Sequence, residues 1–546
     1  PRLKHTMARA PVSGLLVALT LLALTFLASA AIVTTQAELA ACLGNATQTI
    51  CEVPANTVLF LNTAQSLVHD VLIKGNGNSV IDLSYKVTMG YVSCNLAFLD
   101  IEVRNGYTTG PGAFLQVGAA GSTNLTNVVL RNMWANSGNG GAFYGQDHTG
   151  WFKNVTFVNC TAPQGAGAFF VQDLTWRFED VTFTNCGSNL IGSVAVFLTS
   201  TWNTIGSNMT FAGDIKFLNT RALSTSPLFV AYTQSNPQTT TTANITFLSD
   251  PAKPANWYFE GNAGPVFNFY GNNPTAAIRF NAESITVKSH ATPTSDTHRL
   301  FYTYGNLDPL EINVNKGIFL DGIGLTYPLN GTTINVPDGP IVIKNSVSLK
   351  SQIYSYKWPT YINGLDMYFE NTTAPLYTEN AAYPIYVNLS GTFEVNNVPD
   401  AALLTYLTGI INVTASKIIF RNSSPSMAMI HTWSGGDNAH ISLTATCSFG
   451  SCGSSGSTVP SGAVTPSSTS GFGSVLDPSN IGIYFVDNNG PNFDSVAQQT
   501  TVKLMAQNSA IVFERNNNSN GGALDHSSTL LTISGATVMF ANNSAS

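Results

Sequence analysis

The sequence predicts an all-β solenoid built from coils of about 24–30 residues. Three observations carry that expectation. Residues 141–160 (GAFYGQDHTGWFKNVTFVNC) and 167–186 (GAFFVQDLTWRFEDVTFTNC) agree at 12 of 20 positions at a 26-residue offset. That unit is too short for a duplicated domain and suits one coil that buries its apolar face only against its neighbours. Within it, Val155, Phe157, Val181 and Phe183 share one face of a period-two strand and the threonines take the other. Beyond the N-terminal segment no apolar helical pattern of ten or more residues occurs, and brief strands alternate with Gly, Asn, Asp and Pro clusters.

Taken in order, the chain from Met7 reads MARAPVSGLLVALTLLALTFLASAA: one Arg, an apolar run from Leu15 to Leu27, then Ala28-Ser29-Ala30. Residues 1–30 therefore read as a secretory signal peptide cleaved after Ala30, with 1–6 upstream of the start at Met7. The run is short for a membrane span, so no transmembrane segment is expected in the mature chain. Residues 31–446 read as a body of parallel coils, in which the phrase of the repeat returns as VVLRN ending at Asn132 and IIFRN ending at Asn422. Asparagine after the phenylalanine tolerates a left-handed corner, and stacked carboxamides can bond along the axis. Gly-Gly-Ala elements supply a second corner, since glycine accepts positive φ. Residues 287–365 are the least regular, and their coils cannot be placed from the sequence. Residues 447–474, rich in Gly, Ser, Thr and Pro, read as a loop or linker. Residues 475–546 read as further coils, ending within a repeat.

Without residues 1–30 the chain has 20 basic and 30 acidic residues, a net charge of −10, so nucleic acid is not an expected partner. Charged residues make up only 10% of the whole chain, against ~25% in an ordinary soluble domain. Such a surface is polar without being charged, while the aliphatic content excludes disorder. An extracellular β-protein fits best.

The seven cysteines show no zinc-site spacing. In an oxidising compartment Cys42 with Cys51 and Cys447 with Cys452 read as local disulfides, and Cys94 has no assigned partner. The 26-residue offset sets Cys160 and Cys186 on neighbouring coils, close enough for a disulfide, and oxidising secretion favours closing it. Against the bond, in-register side chains on parallel neighbours point the same way. Thirteen N-x-S/T sequons are candidate glycosylation sites: Asn45, Asn124, Asn154, Asn159, Asn208, Asn244, Asn330, Asn371, Asn388, Asn412, Asn422, Asn517 and Asn542.

GGAF at 140–143, GGAL at 521–524, FERN at 513–516 and FANN at 540–543 resemble the GGA[ILV] and FxxN repeats of the chlamydial polymorphic outer-membrane proteins. That resemblance implies a right-handed parallel β-helix of the pectin-lyase-like type, displayed at the cell surface, with adhesion as its role. It implies extracellular glycans or cell-surface proteins as partners. The C-terminal outer-membrane barrel of those bacterial proteins has no counterpart in these residues.

Because the same fold hosts pectin-degrading enzymes, a polysaccharide lyase or hydrolase is the competing function. Its sharpest catalytic candidates are Asp147 and Asp173, equivalent positions of successive coils and so roughly 5 Å apart. His148 adjoins them, and Asp525-His526 repeats the pair of residues at a non-equivalent place; both histidines read as exposed turn residues. A turn carboxylate in a Gly-rich corner needs no catalytic partner, so a structural or weak calcium-binding role outweighs catalysis. No Asp-Asp, Gly-His-Gly or Arg-x-Lys run accompanies them, and no cofactor motif is found. Lys153 aligns with Glu179, which predicts an ion pair between coils. Trp134, Trp151, Trp176 and Trp202 read as a sugar platform or, preferably, as residues that fill gaps in the wall. The expectation is a secreted or surface glycoprotein, adhesive or structural, without catalysis.

Overall fold

The computed structural model describes residues 30–545 except 66, 68, 119–120, 147, 173–174, 189–193, 200–206, 221–228, 234–244, 263, 272–277, 289–298, 306–309, 329–330, 347–350, 356, 381, 426–427, 434–438, 449–450, 453–477, 491, 496–499 and 519–528. The expected signal peptide lies, but for Ala30, outside the described residues.

The repeat observed in the sequence is one rung of a stack of parallel strands. Leu96–Arg104, Ser122–Arg131, Thr149–Val158, Thr175–Thr184 and Ser207–Leu218 pair parallel in succession. A second ladder joins Leu115–Val117, Phe143–Gln146, Phe169–Gln172 and Ala195–Thr199. Between them runs a ladder of two-residue strands, Tyr107–Thr108, Trp134–Ala135, Thr161–Ala162 and Gly187–Ser188. The molecule is thus all-β with long parallel sheets, the arrangement of a solenoid. At about 4.8 Å per rung the stack is on the order of 80 Å long.

Two columns of left-handed residues bend the long strands in step, pairing continuing on both sides of each bend. Asp100, Asn127, Asn154 and Asp180 (φ 51–54°) interrupt the strands midway, and Asn105, Asn132, Asn159 and Asn185 (φ 52–58°) end them. Each conformation is one that Asn and Asp adopt readily. The side chains also bond along the axis: Asn127 Nδ2 donates to Asp100 Oδ1 at 2.7 Å, Asn154 to Asn127 at 3.0 Å, and Asn159 to Asn132 at 3.1 Å. The glycine corner has a steric cause as well. Gly140 has φ +70°, and a Cβ on Gly141 would lie 1.9 Å from the carbonyl oxygen of Gly167 on the next rung.

Between these corners the apolar face turns inward. Phe157 stacks on Phe183 at 4.9 Å and Phe183 on Phe217 at 5.0 Å, all three buried. Farther along, Phe420, Phe485, Phe513 and Phe540 form a second column at 4.9–5.0 Å. Phe540 stacks as the repeat predicts but is 51% exposed, since no rung among the described residues covers its outer side. The stretch 287–365 proves regular in ladder though not in sequence: Phe280, Ile312, Ile334, Ile362 and Val387 succeed one another on adjacent strands. The ladders also pass 447–474 without a break, Phe420 pairing with Phe485 and Leu443 with Leu504. Most of that segment lies outside the described residues.

One short helix, α1 (Gln36–Gly44), precedes the first long rungs. Thr35 and Glu38 close a capping box at its start, and Leu39, Cys42 and Leu43 are buried. The Cys42–Cys51 disulfide ties it to strand Ile50–Val53, and Cys447–Cys452 closes the second local bridge. Among the described residues no helix is long and apolar enough to cross a membrane.

The third expected disulfide is not formed: Cys160 and Cys186 are buried thiols, as is Cys94. Both sulfurs lie against backbone carbonyls, Cys160 Sγ against those of Leu130 and Val158 at 3.7 Å, and Cys186 Sγ against those of Phe157 at 3.7 Å and Thr184 at 3.5 Å. They occupy the place taken elsewhere by the last asparagine of FxxN. Asn516 Nδ2 donates to the Phe485 carbonyl at 3.1 Å and Asn543 Nδ2 to that of Phe513 at 2.9 Å. The position therefore supplies a donor to an inward carbonyl, and a thiol can fill it.

Candidate functional site

Asp147 and Asp173, the sequence-derived carboxylates, lie outside the described residues, as do Asp525, His526 and Trp202. The expected exposure of His148 is wrong. Its ring is 2% exposed, with Nδ1 donating to the Gly118 carbonyl at 3.1 Å and Nε2 accepting from Thr123 Oγ1 at 3.0 Å. The Gly-rich corner folds the imidazole inward, where its two ring nitrogens satisfy two buried groups. Trp176 is buried against Phe152 and Phe143, filling the core, whereas Trp134 is exposed and edge-on to Tyr107. Trp134 and Trp176 thus do not share a face.

The ion pair between Lys153 and Glu179 is present at 3.4 Å, within a larger cluster. Arg177 reaches Asp250 at 2.5 Å and Lys253 reaches Glu179 at 3.2 Å, with Asp180 beside it. Burial works against ionisation of Asp180, but hydrogen bonds from Lys253 and the Asp214 amide, with the charges of Lys253 and Lys153, hold its carboxyl below the usual range. A carboxylate so held is a poor proton donor near neutral pH. Among the described residues no group of three or more His, Cys, Asp or Glu could hold a metal ion.

A different place on the outer wall has the form of a site. The strands Leu310–Val314, Thr332–Ser346, Thr360–Thr372 and Ile385–Leu389 carry asparagine at one outward position, and the carboxamides form a continuous row. Asn313 donates to Asn281 at 3.0 Å, Asn335 to Asn313 at 2.8 Å, Asn363 to Asn335 at 2.9 Å, and Asn388 to Asn363 at 3.2 Å. Two residues earlier, Tyr361 and Tyr386 stack at 5.2 Å with planes 10° apart. Tyr361 is 40% exposed.

Beside this row lies an open groove of about 470 Å³, bounded by Pro337, Gly364, Leu389, Ser390 and Thr414 together with the asparagines. A mismatch in strand length creates it. Pairing runs from Val336/Gly364 directly to Pro340/Asp366, so Pro337, Asp338 and Gly339 bulge opposite a single residue and raise one wall. None of the lining residues is ionisable, which suits the groove to a hydroxyl-rich neutral group.

Sequence reading missed this place. Its signal is the recurring triplet with Asn after Ile or Val, EIN at 311–313, TIN at 333–335, YIN at 361–363 and YVN at 386–388, unevenly spaced, the first three within the stretch whose coils could not be placed and the last beyond it.

Five sequons, Asn154, Asn159, Asn371, Asn388 and Asn422, lie in axial rows with Nδ2 bonded to a neighbouring carboxamide. Asn45 is exposed, its Oδ1 accepting from Thr47. Asn124 and Asn412 stand mid-strand with no hydrogen bond to their side chains among the described residues, and Asn517 and Asn542 lie in the last described rungs. Asn244 and Asn330 are outside the described residues, and the side chain of Asn208 is not described.

No family model matches the sequence, and neither a curated protein nor a solved structure matches it.

Proposed function

We propose that this chain is a secreted or cell-surface glycoprotein whose solenoid is a right-handed parallel β-helix of the pectin-lyase-like type, used as an adhesive or structural shaft. The outward carboxamide rows carry this reading. Asn281 to Asn388 run unbroken across five strands on one face, while the opposite side of each strand is filled by buried Phe, Ile and Val. Such a wall is stiff along its axis, wettable, and nearly free of charge, which suits a surface that meets extracellular glycans or cell-surface proteins. The resemblance to GGA[ILV]/FxxN proteins points the same way, since the motif asparagines Asn516 and Asn543 act here as parts of the wall.

Expression of the full chain in a secretory eukaryotic host is expected to release it into the medium beginning at Ala31. Beads coated with the product should adhere to cell layers or matrix above beads bearing an unrelated solenoid. Retention inside the cell with the N-terminus intact, or adhesion no greater than the control, would overturn the reading.

A further inference from the structure

Resting on the reading of the chain as a secreted glycoprotein, we propose that Asn412 carries an N-linked glycan whose first sugars lie against Tyr386 and in the uncharged groove beside it. The acceptor comes first. Asn412 projects from the middle of Ile410–Ala415, half-buried, on the outward face of the ladder. Unlike Asn388 one rung away, its carboxamide has no hydrogen-bond partner among the described residues, so Nδ2 has no axial partner there to lose.

Its neighbours provide a berth. Tyr386 is its register partner on the preceding strand and Ser442 on the following one. Tyr386 is stacked by Tyr361 on its far side only. The ring face toward Asn412 is thus met by a small polar residue, with room beyond it over Ser442. A sugar joined to Nδ2 would set its C–H face on that ring and keep its hydroxyls outward, an arrangement for which a ring with one apolar face and one polar edge is suited.

The groove then takes the sugars beyond the first. Thr414, the hydroxyl residue of the same sequon, lines it, as do Asn363 and Asn388. Asn335 and Asn363 each spend one N–H and one oxygen lone pair along the row and keep the others, and Asn388 spends one N–H there, so each of the three offers a donor and an acceptor to sugar hydroxyls. Gly364 keeps the floor low, since a Cβ there would approach the Val336 carbonyl at 3.1 Å. The absence of ionisable lining residues suits the neutral core of an N-glycan.

The transfer itself needs a polyprenyl-diphosphate oligosaccharide, supplied by the secretory pathway. Asn412 Nδ2 attacks the anomeric carbon, the bond from that carbon to the diphosphate oxygen breaks, Nδ2 loses one proton, and the lipid diphosphate leaves. Asn124 repeats the arrangement: its carboxamide has no hydrogen-bond partner among the described residues and its register partner is Trp151, whose ring is approached by Arg177 from the rung beyond.

The test is glycopeptide mapping of the full chain secreted from a glycosylating host, with timed release by a peptide:N-glycosidase under native conditions. Asn412 should be occupied, and its glycan should leave at least about ten-fold more slowly than that of the exposed Asn45. Tyr361→Ala with Tyr386→Ala, and separately Gly364→Leu to fill the groove, should bring its release close to that of Asn45 while occupancy stays unchanged. Tyr386→Phe keeps the ring and should keep the protection. Occupied Asn45 with bare Asn412 overturns this proposal alone, and so does equal release from the two sites in the unaltered chain. Binding of cellohexaose in the groove of a chain bare at Asn412 would assign it instead to an external glycan. Secreted chain with no occupied sequon would overturn the glycoprotein reading itself.

Discussion

Truncating Phe183 to alanine separates burial from stacking as the source of cohesion in the aromatic column. Phe183 is 4% exposed and lies between Phe157 and Phe217 at 4.9 and 5.0 Å. Removing a ring so enclosed costs its transfer free energy and leaves a cavity walled by two rungs, about 3–5 kcal/mol. Phe540 stacks on Phe513 at the same 5.0 Å but is 51% exposed. Half its surface is already in water and its loss encloses no cavity, so Phe540→Ala in this chain should cost only ~1–1.5 kcal/mol. A solenoid opens regionally, and a single melting curve would average the effect away. Native-state hydrogen exchange is the suitable assay. The strands Thr149–Val158, Thr175–Thr184 and Ser207–Leu218 should lose 3–5 kcal/mol of opening free energy, about what the cavity costs, while those around Phe420 and Phe485 keep theirs. Equal losses at the two sites would show that pairwise stacking dominates, and a loss below ~1 kcal/mol at Phe183 would refute the inward column altogether.

Three other perturbations read different parts of the wall. Asp82 is buried, which raises its pKa, but hydrogen bonds from Arg104, the Ser84 amide and Asn105, with the Arg104 charge, together hold the carboxyl below its ordinary value. Its contribution is therefore complete above an unfolded value of about 3.9 and is lost as pH falls through the lower folded value; Asp82→Asn should lower neutral-pH stability by ~1–3 kcal/mol and flatten the acid limb of a pH-denaturation curve. Burial, with Cys186 close by, pushes the Cys160 thiol well above its usual pKa, and the Cys186 thiol is shut away from solvent, so native protein should resist iodoacetamide at both cysteines and label at both after unfolding. Recovery of a Cys160–Cys186 linked peptide would contradict the inward parallel geometry. Gly141→Ala would force a methyl to within 1.9 Å of the Gly167 carbonyl and 2.6 Å of that of Thr161, and hydrogen exchange of the adjoining rungs should show a loss of about 1–3 kcal/mol or more in opening free energy; a neutral result would mean that the corner is not close-packed.

What could be read from the sequence depended on whether adjacent rungs repeat themselves literally. Phe157 and Phe183 were legible because the two rungs share 12 of 20 residues at one offset. Between Phe280 and Val387 the inward residue changes to Ile and Val and the spacing varies from rung to rung, so the same ladder leaves no literal repeat. A strand ladder constrains hydrogen-bond register, whereas the corners absorb extra residues freely, and the groove arises at one such corner, the bulge at Pro337 to Gly339. His148 was misplaced because polarity suggested the surface, when two buried polar groups, the Gly118 carbonyl and the Thr123 hydroxyl, required an imidazole. Helix α1 has a start signal in the T-x-x-E of Thr35 to Glu38, but its nine residues are too few to show an apolar helical period.

The axial direction of the ladder bonds has a mechanical consequence. Tension applied between the two ends pulls along those bonds, loading the rungs in series, so the molecule should peel one turn at a time. A detached rung the length of the 26-residue repeat frees about 85–90 Å of contour while shortening the stack by only ~4.8 Å. Pulled slowly, such a rod would hold a plateau of force over many small steps and dissipate work at each one, and it would rewind from its remaining turns when released.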